Sequence, residues 1–346
     1  MLYAHPQKPP SSPIWAQPLT LQPPTPRFRT RTLVALVLFA VLTIVWASGH
    51  HHVPLRFNLR HGGAVLPEEW RTNVTQLIPP KIWQIILPKK APESDKDMVI
   101  DPAALKESQS WIALNPGYSY TMMGEKSGLE YVQQHFADEP ELLAAYVNMP
   151  NVGMKSDFLR YLVLGLEGGV YTDTDTLALK PIDAWVPAEY RDKARLVVGV
   201  EFDRRDGDGW RDILHWVQFC QWTIAAAPGH PVFGKMAARI LRSLAEMAAT
   251  HEADIKDVRP SSVEVMNSTG PAAWTETVFL QLQEYDSSLT DIKNLSYITE
   301  PRLIGDVLIL PIDGFGMDQP HSNSTRGDPP EAALMKHLFH GSWRGD

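Results

Sequence analysis

The sequence is poor in cysteine, and its first part has no acidic residue; both shortages limit what the chain can be. Cys220 is the single cysteine among 346 residues, which excludes a disulfide scaffold and a cysteine-cluster metal site. Residues 1–67 hold no Asp or Glu, whereas residues 68–346 hold 26 basic and 40 acidic residues. The acidic body argues against general binding to nucleic acid phosphates. The charge break divides the chain into two unlike parts.

The first part contains a long uncharged apolar run at residues 32–48. Residues 1–31 carry eight prolines, a composition that predicts a disordered tail. The run itself has no charge, proline or glycine and is just long enough to span a bilayer as a helix. Arg27, Arg29 and Arg31 precede it, so the positive-inside rule predicts a cytosolic tail and a translocated body. A cleaved signal peptide is the alternative. The run fits one less well, because it starts at residue 32, far from the N-terminus, and is longer than the apolar region of a usual signal peptide.

We therefore expect a signal-anchor at residues 32–48 and a lumenal stem at residues 49–77. Four N-glycosylation sequons, at Asn73, Asn267, Asn294 and Asn323, all fall in the part predicted to be lumenal. Chance matches to this motif are common, but their placement fits a protein of the secretory pathway.

Residues 78–346 alternate short apolar runs with longer segments of helical pattern. Strands that alternate with helices predict an α/β fold with a largely parallel sheet. The sequence predicts strands at 78–87, 119–123, 170–172, 196–200 and 307–310, and helices at 101–112, 127–136, 154–167, 211–226 and 232–248.

Charged side chains occur in the first half of the 154–167 helix and directly after the strand that follows it. Asp157 and Arg160 share a face of an otherwise apolar helix, so they require each other or a ligand. Asp173 and Asp175 follow a short apolar strand, where α/β sheets place their ligand sites. Two carboxylates this close are unfavourable without a cation, and their oxygens suit Mg²⁺ or Mn²⁺. A polar turn without a metal is the alternative interpretation.

These motifs resemble glycosyltransferase family 32, and within it the fungal initiation-specific α-1,6-mannosyltransferase type. The resemblance covers nearly all of residues 78–343 and implies a GT-A-type nucleotide-sugar-binding domain at 78–346, preceded by one transmembrane helix. The matching stretches are IPPKIWQI at 78–85, NPGYSY at 115–120, KSDFLRYLVLGLEGGVYTDTDTLALKPID at 155–183, VVGVEFD at 197–203, VQFCQWTIAAAPGHP at 217–231, TGPAAWT at 269–275 and KHLFHGSW at 336–343.

The resemblance also implies a role for each polar residue of these motifs. Asp173 and Asp175 would hold Mn²⁺ (or Mg²⁺) against the donor diphosphate, and His337 would be the third metal ligand. His340 lies in the same motif and is the alternative, which the spacing disfavours.

The donor sugar and the acceptor would be bound by a second group of residues. The implied donor-binding residues are Asp157, Arg160, Tyr161, Thr269 and Gly270. Glu201, at the expected end of a buried strand, would act as a base or contact the acceptor. Because Thr269 also completes the sequon of Asn267, we expect Asn267 to be unmodified.

The activity implied is a metal-dependent, retaining transfer of mannose from GDP-mannose to an N-linked high-mannose glycan. The α-1,6 linkage, a type II Golgi membrane location and membership of a Golgi mannosyltransferase complex follow from the same resemblance. Another donor is one alternative. An inositol-phosphoceramide acceptor is a second, disfavoured because no further apolar span follows residue 48. A membrane-anchored glycan-binding protein without catalysis is a third.

Overall fold

The apolar runs of the body pair into one central sheet with helices packed on it. The computed structural model describes residues 77–87, 106–210, 213–319 and 322–340, which all belong to one unit, Gly63–Asp346. The predicted tail and anchor, and the predicted stem up to residue 76, lie outside the described residues. Among the described helices, none is both long and apolar enough to cross a membrane.

The strands form a main sheet and a small two-stranded one. The main sheet has the order β2-β1-β3-β7-β5-β9-β8, with β6 paired to β5, and the small sheet pairs β10 with β4. The strands are β1 (Lys81–Ile85), β2 (Ser119–Met123), β3 (Gly169–Thr172), β4 (Thr176–Ala178), β5 (Leu196–Asp203), β6 (Val217–Phe219), β7 (Thr223–Ala226), β8 (Arg302–Ile304), β9 (Val307–Leu310) and β10 (Met335–His337).

Strand directions make this a mixed sheet that is largely parallel. Strand β1 runs parallel to both β2 and β3, and β5 runs parallel to β9. Strand β7 is antiparallel to β3 and to β5, so β3 and β5 share a direction across it. Strand β8 is antiparallel to β9. The predicted α/β class with a largely parallel sheet is therefore confirmed.

Helices cover both faces of the sheet. They are α1 (Ser108–Leu114), α2 (Glu125–His135), α3 (Pro140–Val147), α4 (Val152–Glu167), α5 (Pro231–Thr250), α6 (Ser262–Ser268), α7 (Pro271–Tyr285) and α8 (Ile312–Gly316). Four 3₁₀ turns also lie in the described ranges: Ile182–Ala184, Ala188–Tyr190, Ile255–Asp257 and Ile292–Leu295.

Side chains of β5 alternate between two apolar clusters, one on each face of the sheet. Val198 and Val200 join the cluster that contains α4, α5 and α7, whereas Val197 joins the cluster that contains Trp185 and Phe315. This alternation is the period of two expected of a strand that is buried on both faces. The even and odd positions of β5 therefore face different surroundings.

Helix α4 ends directly before strand β3, which leads to Asp173 and Asp175. The Asn151 side chain caps its start by accepting hydrogen bonds from the backbone N–H groups of Gly153 and Met154. Gly168 ends it at φ 62°, a left-handed conformation that glycine adopts without strain. A Cβ at Gly168 would also lie 2.7 Å from the Ala226 carbonyl oxygen. The tight ending places β3 immediately after the helix and Asp173 at the end of β3.

One predicted helix is wrong, and one predicted strand is too short. Residues 211–226 were expected to be helical, but they contain strands β6 and β7, which pair with β5 and β3. A short apolar run fits either element, and here pairing with two neighbouring strands decides. Strand β5 continues to Asp203, so Glu201 lies inside the strand and not at its end. Cys220, between β6 and β7, is a buried free thiol.

Candidate active site

Two acidic residues and one histidine converge beside the end of β3. The Asp173 backbone N–H donates to the Trp222 carbonyl oxygen at 2.8 Å, which fixes the turn that follows the strand. Strand β10 pairs antiparallel with β4, and this register places His337 opposite Thr176, next to Asp175. The Nε2 atom of His337 lies 3.3 Å from Asp175 Oδ1 and 4.0 Å from Asp173 Oδ2. One ligand atom from each of the three residues lies within 4.8 Å of the others.

Aromatic rings set the orientation of the His337 imidazole. The ring stacks on Trp222 with centroids 4.8 Å apart and an angle of 17°, and meets Phe339 edge-on at 4.0 Å. Its Nδ1 atom is buried and has no hydrogen-bond partner among the described residues. The Nε2 atom is therefore the ring nitrogen that faces the carboxylates.

Asp175 is held in its ionised form. Burial alone raises the pKa of Asp175, but the hydrogen bond and charge of His337 and the backbone N–H of His340 outweigh it, so the pKa falls to about 2. That backbone N–H donates to Asp175 Oδ2 at 2.9 Å. His340, the disfavoured alternative ligand, thus contacts Asp175 through its main chain.

The donor atoms of this cluster fit a divalent cation. Two carboxylates and one imidazole nitrogen are a ligand set that Mn²⁺ accepts, and carboxylate oxygens also suit Mg²⁺. One possible ligand atom from each of the three residues lies within 4.8 Å of the others, close enough to share one ion. Asp173 and Asp175 are thus brought together with His337 as the resemblance implied.

A buried ion pair on helix α4 lies beside this cluster. Arg160 Nη2 is 2.9 Å from Asp157 Oδ1 and 3.5 Å from Asp173 Oδ1. Its Nη1 donates to the Gln221 carbonyl oxygen at 2.9 Å, and its guanidinium carbon lies 4.5 Å from the centre of the Tyr171 ring. Arg160 therefore links helix α4 to the turn that holds Asp173 and Asp175, called the acidic turn below. This arrangement can present positive charge to an anionic ligand.

Asp157 is buried more deeply than the cluster of Asp173, Asp175 and His337. Burial raises its pKa to about 7, although Arg160 and the Thr269 hydroxyl act in the opposite direction. The Thr269 hydroxyl donates to Asp157 Oδ2 at 2.8 Å. Asp157 therefore accepts the Thr269 hydroxyl and pairs with Arg160 while burial disfavours its charge.

Tyr161, Thr269 and Gly270 are used for internal contacts. The Tyr161 hydroxyl lies 2.7 Å from Gln221 Oε1 and 2.9 Å from the Thr269 carbonyl oxygen. Gly270 begins helix α7, where a Cβ would lie 2.8 Å from Met266 Cα. These residues hold the Asp157 side of the site in place. Gln221, which we expected on a helix, lies between strands β6 and β7. There it contacts Arg160 and Tyr161 of helix α4.

Glu201 is buried inside strand β5, next to a residue of β6. Gln218 Nε2 on β6 donates to Glu201 Oε2 at 3.0 Å, and burial raises the pKa of Glu201 to about 7. The catalytic role of Glu201 stays a prediction.

The described sequons differ in their surroundings. Asn267 is half-buried and is followed by buried Ser268 and Thr269. Asn294 and Asn323 are exposed, and the Asn323 side-chain amide donates to the Asp203 carbonyl oxygen at 2.7 Å. Asn73 lies outside the described residues. The expectation that Asn267 is unmodified stays a prediction.

Comparison with known proteins identifies the family. A family model described as the glycosyltransferase sugar-binding region containing the DXD motif matches residues 103–192. The initiation-specific α-1,6-mannosyltransferase of Schizosaccharomyces pombe is 38% identical over 75% of this chain and 64% of that protein. The Candida albicans protein of the same name is 35% identical over 70% of this chain and 67% of that protein. The chain belongs to glycosyltransferase family 32.

The chain is also similar to another curated relative and to two solved structures. The Saccharomyces cerevisiae protein named initiation-specific α-1,6-mannosyltransferase is 25% identical over 78% of each chain. The chain spans 64–67% of the first two relatives. Among solved structures, the PaToxG glycosyltransferase has a TM-score of 0.40 at 19% identity, covering 61% of this chain and 73% of that one. The ligand-free glycosyltransferase domain of the YGT toxin has a TM-score of 0.39 at 10% identity, covering 61% and 79%.

Proposed function

We propose that this protein transfers mannose from GDP-mannose to a mannose hydroxyl of an N-linked high-mannose glycan, forming an α-1,6 linkage with retention of configuration. The observation that carries the proposal is that possible ligand atoms of Asp173, Asp175 and His337 lie within 4.8 Å of one another, beside Arg160. Family membership and the names of the relatives support the sugar and the linkage.

The residues of the site divide the work of binding. Asp173, Asp175 and His337 would hold Mn²⁺ or Mg²⁺, which neutralises the negative charge of a donor diphosphate. Arg160 adds a fixed positive charge 3.5 Å from Asp173 and favours the departure of the anionic nucleotide. Asp157, paired with Arg160 and held by the Thr269 hydroxyl, would bind a hydroxyl of the donor sugar.

We also propose a GT-A-type domain at residues 78–346 in the Golgi lumen, anchored as a type II membrane protein by residues 32–48. The uncharged run, the basic residues before it and the four sequons after it support this topology. A Golgi mannosyltransferase complex is the proposed assembly. Protease treatment of sealed microsomes should leave the body intact and remove only the tail. Digestion of the body would contradict the topology.

A panel of nucleotide-sugars tests the activity. The full-length chain in detergent is incubated with Mn²⁺, a high-mannose N-glycan and each donor, and nucleotide release and product mass are measured. GDP release with a gain of one hexose is expected from GDP-mannose alone. Release from a UDP-sugar alone would favour another donor, and no release from any donor would favour a glycan-binding protein without catalysis.

Substitution of Asp175 tests whether the cluster of Asp173, Asp175 and His337 is the catalytic metal site. Asp175→Ala should lower transfer by at least about 100-fold because the cation and the developing charge lose a ligand. Asp254→Ala, at an exposed carboxylate elsewhere, is the matched control and should keep wild-type activity. Wild-type transfer by Asp175→Ala would refute the assignment of this cluster.

A further inference from the structure

Trp222 touches both halves of the candidate metal site. Its carbonyl oxygen accepts the Asp173 backbone N–H at 2.8 Å, and its ring stacks on His337 at 4.8 Å. The indole Nε1–H donates to the Phe315 carbonyl oxygen at 3.1 Å, so the ring is held by this hydrogen bond as well as by the stack on His337. The side chain is buried, 6% exposed. A residue in this position can set the relative placement of two ligands that come from distant parts of the chain.

The surroundings of His337 lack the usual means of orienting a metal-binding histidine. Such a histidine generally donates its second ring N–H to a carboxylate or carbonyl, which fixes the ring. The Nδ1 atom of His337 is buried without a hydrogen-bond partner among the described residues. Ring contacts with Trp222 and Phe339 are what hold it. Phe339 is 44% exposed, whereas Trp222 is anchored in the fold.

We propose that Trp222 is a positioning residue for the metal site: its indole face fixes the ring plane of His337 so that Nε2 points at Asp173 and Asp175. This inference rests on the proposed metal site. The contact of Trp222 with Asp173 uses the Trp222 backbone carbonyl, so a side-chain substitution leaves its acceptor in place and removes the ring that stacks on His337.

Two variants separate the stack from the indole hydrogen bond. Trp222→Leu removes both, and Trp222→Phe keeps an aromatic face but loses the N–H donated to Phe315. Trp185→Leu is the matched control, because Trp185 is equally buried and its ring contacts the same Phe315 at 4.9 Å. The Mn²⁺ dissociation constant of the full-length chain in detergent is measured from the electron paramagnetic resonance signal of free Mn²⁺.

The expected result is a graded loss of Mn²⁺ affinity. Trp222→Leu should raise the dissociation constant about 10-fold, the lower end of the range for loss of an outer-shell partner. Trp222→Phe should raise it less than about 3-fold, and Trp185→Leu should leave it unchanged. In a His337→Ala background, Trp222→Leu should have no further effect, because it acts through the histidine. Wild-type affinity in Trp222→Leu, or an equal loss in both backgrounds, would overturn the positioning role.

A second measurement does not require the leucine variant to fold. Paramagnetic Mn²⁺ should quench the fluorescence of Trp222 in the wild type, whereas Mg²⁺ should not, and Trp222→Phe should lose most of this quenching. Equal quenching in wild type and Trp222→Phe would overturn the placement. Asp175→Ala separates the two levels of the proposal: if it binds Mn²⁺ as tightly as wild type, the metal site falls together with the inference. If it loses binding while Trp222→Leu does not, only the positioning role falls.

Discussion

Replacing Glu201 by glutamine should stabilise the fold at neutral pH and do so in a pH-dependent way. Glu201 is buried in β5, and burial raises its pKa from 4.5 to about 7. Glutamine has almost the same shape and no charge to desolvate. It can accept the Gln218 Nε2–H as Glu201 does. Its new N–H can also reach Gln218 Oε1, which has no hydrogen-bond partner among the described residues.

The size and sign of the effect follow from linkage. A folded-state pKa above the unfolded value means that the folded state binds protons more tightly, so stability is lost as pH rises from 4.5 to about 7. A pKa difference of about 2.5 corresponds to about 3 kcal/mol at most. Glu201→Gln should match the wild type at pH 4 and exceed it by up to about 3 kcal/mol at pH 8. At about 2–4 °C per kcal/mol, the melting temperature should rise by up to about 6–12 °C.

Melting temperatures of the wild type and Glu201→Gln measured from pH 4 to pH 8, extended to pH 2 for the control below, test this reasoning. Glu264→Gln is a control of opposite sign, because hydrogen bonds from His251 and Ser261 lower the pKa of Glu264 to about 2. That variant should lose stability at pH 7, and the loss should fade as pH falls towards 2. A stability gain in Glu201→Gln that is the same at pH 4 and pH 8, or a loss at pH 8, would refute the argument. If Glu201 acts as base or acceptor contact, transfer falls while stability rises.

Two further predictions concern packing around the site. Thr269→Val removes the hydroxyl that donates to Asp157 Oδ2, and it should lower the free energy of unfolding in urea by about 1–3 kcal/mol. Thr269→Ser keeps the hydroxyl and should stay near wild type. Equal urea midpoints for the valine and serine variants would contradict the role of this hydrogen bond. Gly199→Ala should cost about 1–3 kcal/mol, because the new Cβ would lie 2.8 Å from the Phe315 side chain. Gly117→Ala, with nothing within 4 Å, is its control, and equal urea midpoints would show that Phe315 moves aside freely.

Helix α4 and strand β9 were predictable from the sequence, whereas the segment at residues 211–226 was not. Both α4 and β9 lie where their patterns predict. The helix predicted at residues 211–226 is wrong, because the apolar residues inside this segment fit strands as well as a helix. Their strand conformation depends on hydrogen bonds to β3 and β5, whose positions the local sequence does not contain.

The sequence by itself determined the family, the acidic turn after a buried strand and a histidine near the C-terminus, because these are local patterns of residue type and spacing. Only the tertiary structure decided which groups meet. The register of β10 on β4 brings His337 to Asp175, and strand pairing brings Trp222 beneath the imidazole. Burial likewise raises the pKa of Asp157 and of Glu201, since desolvation depends on the surrounding fold. Spacing along a chain carries no information about contacts made across a sheet.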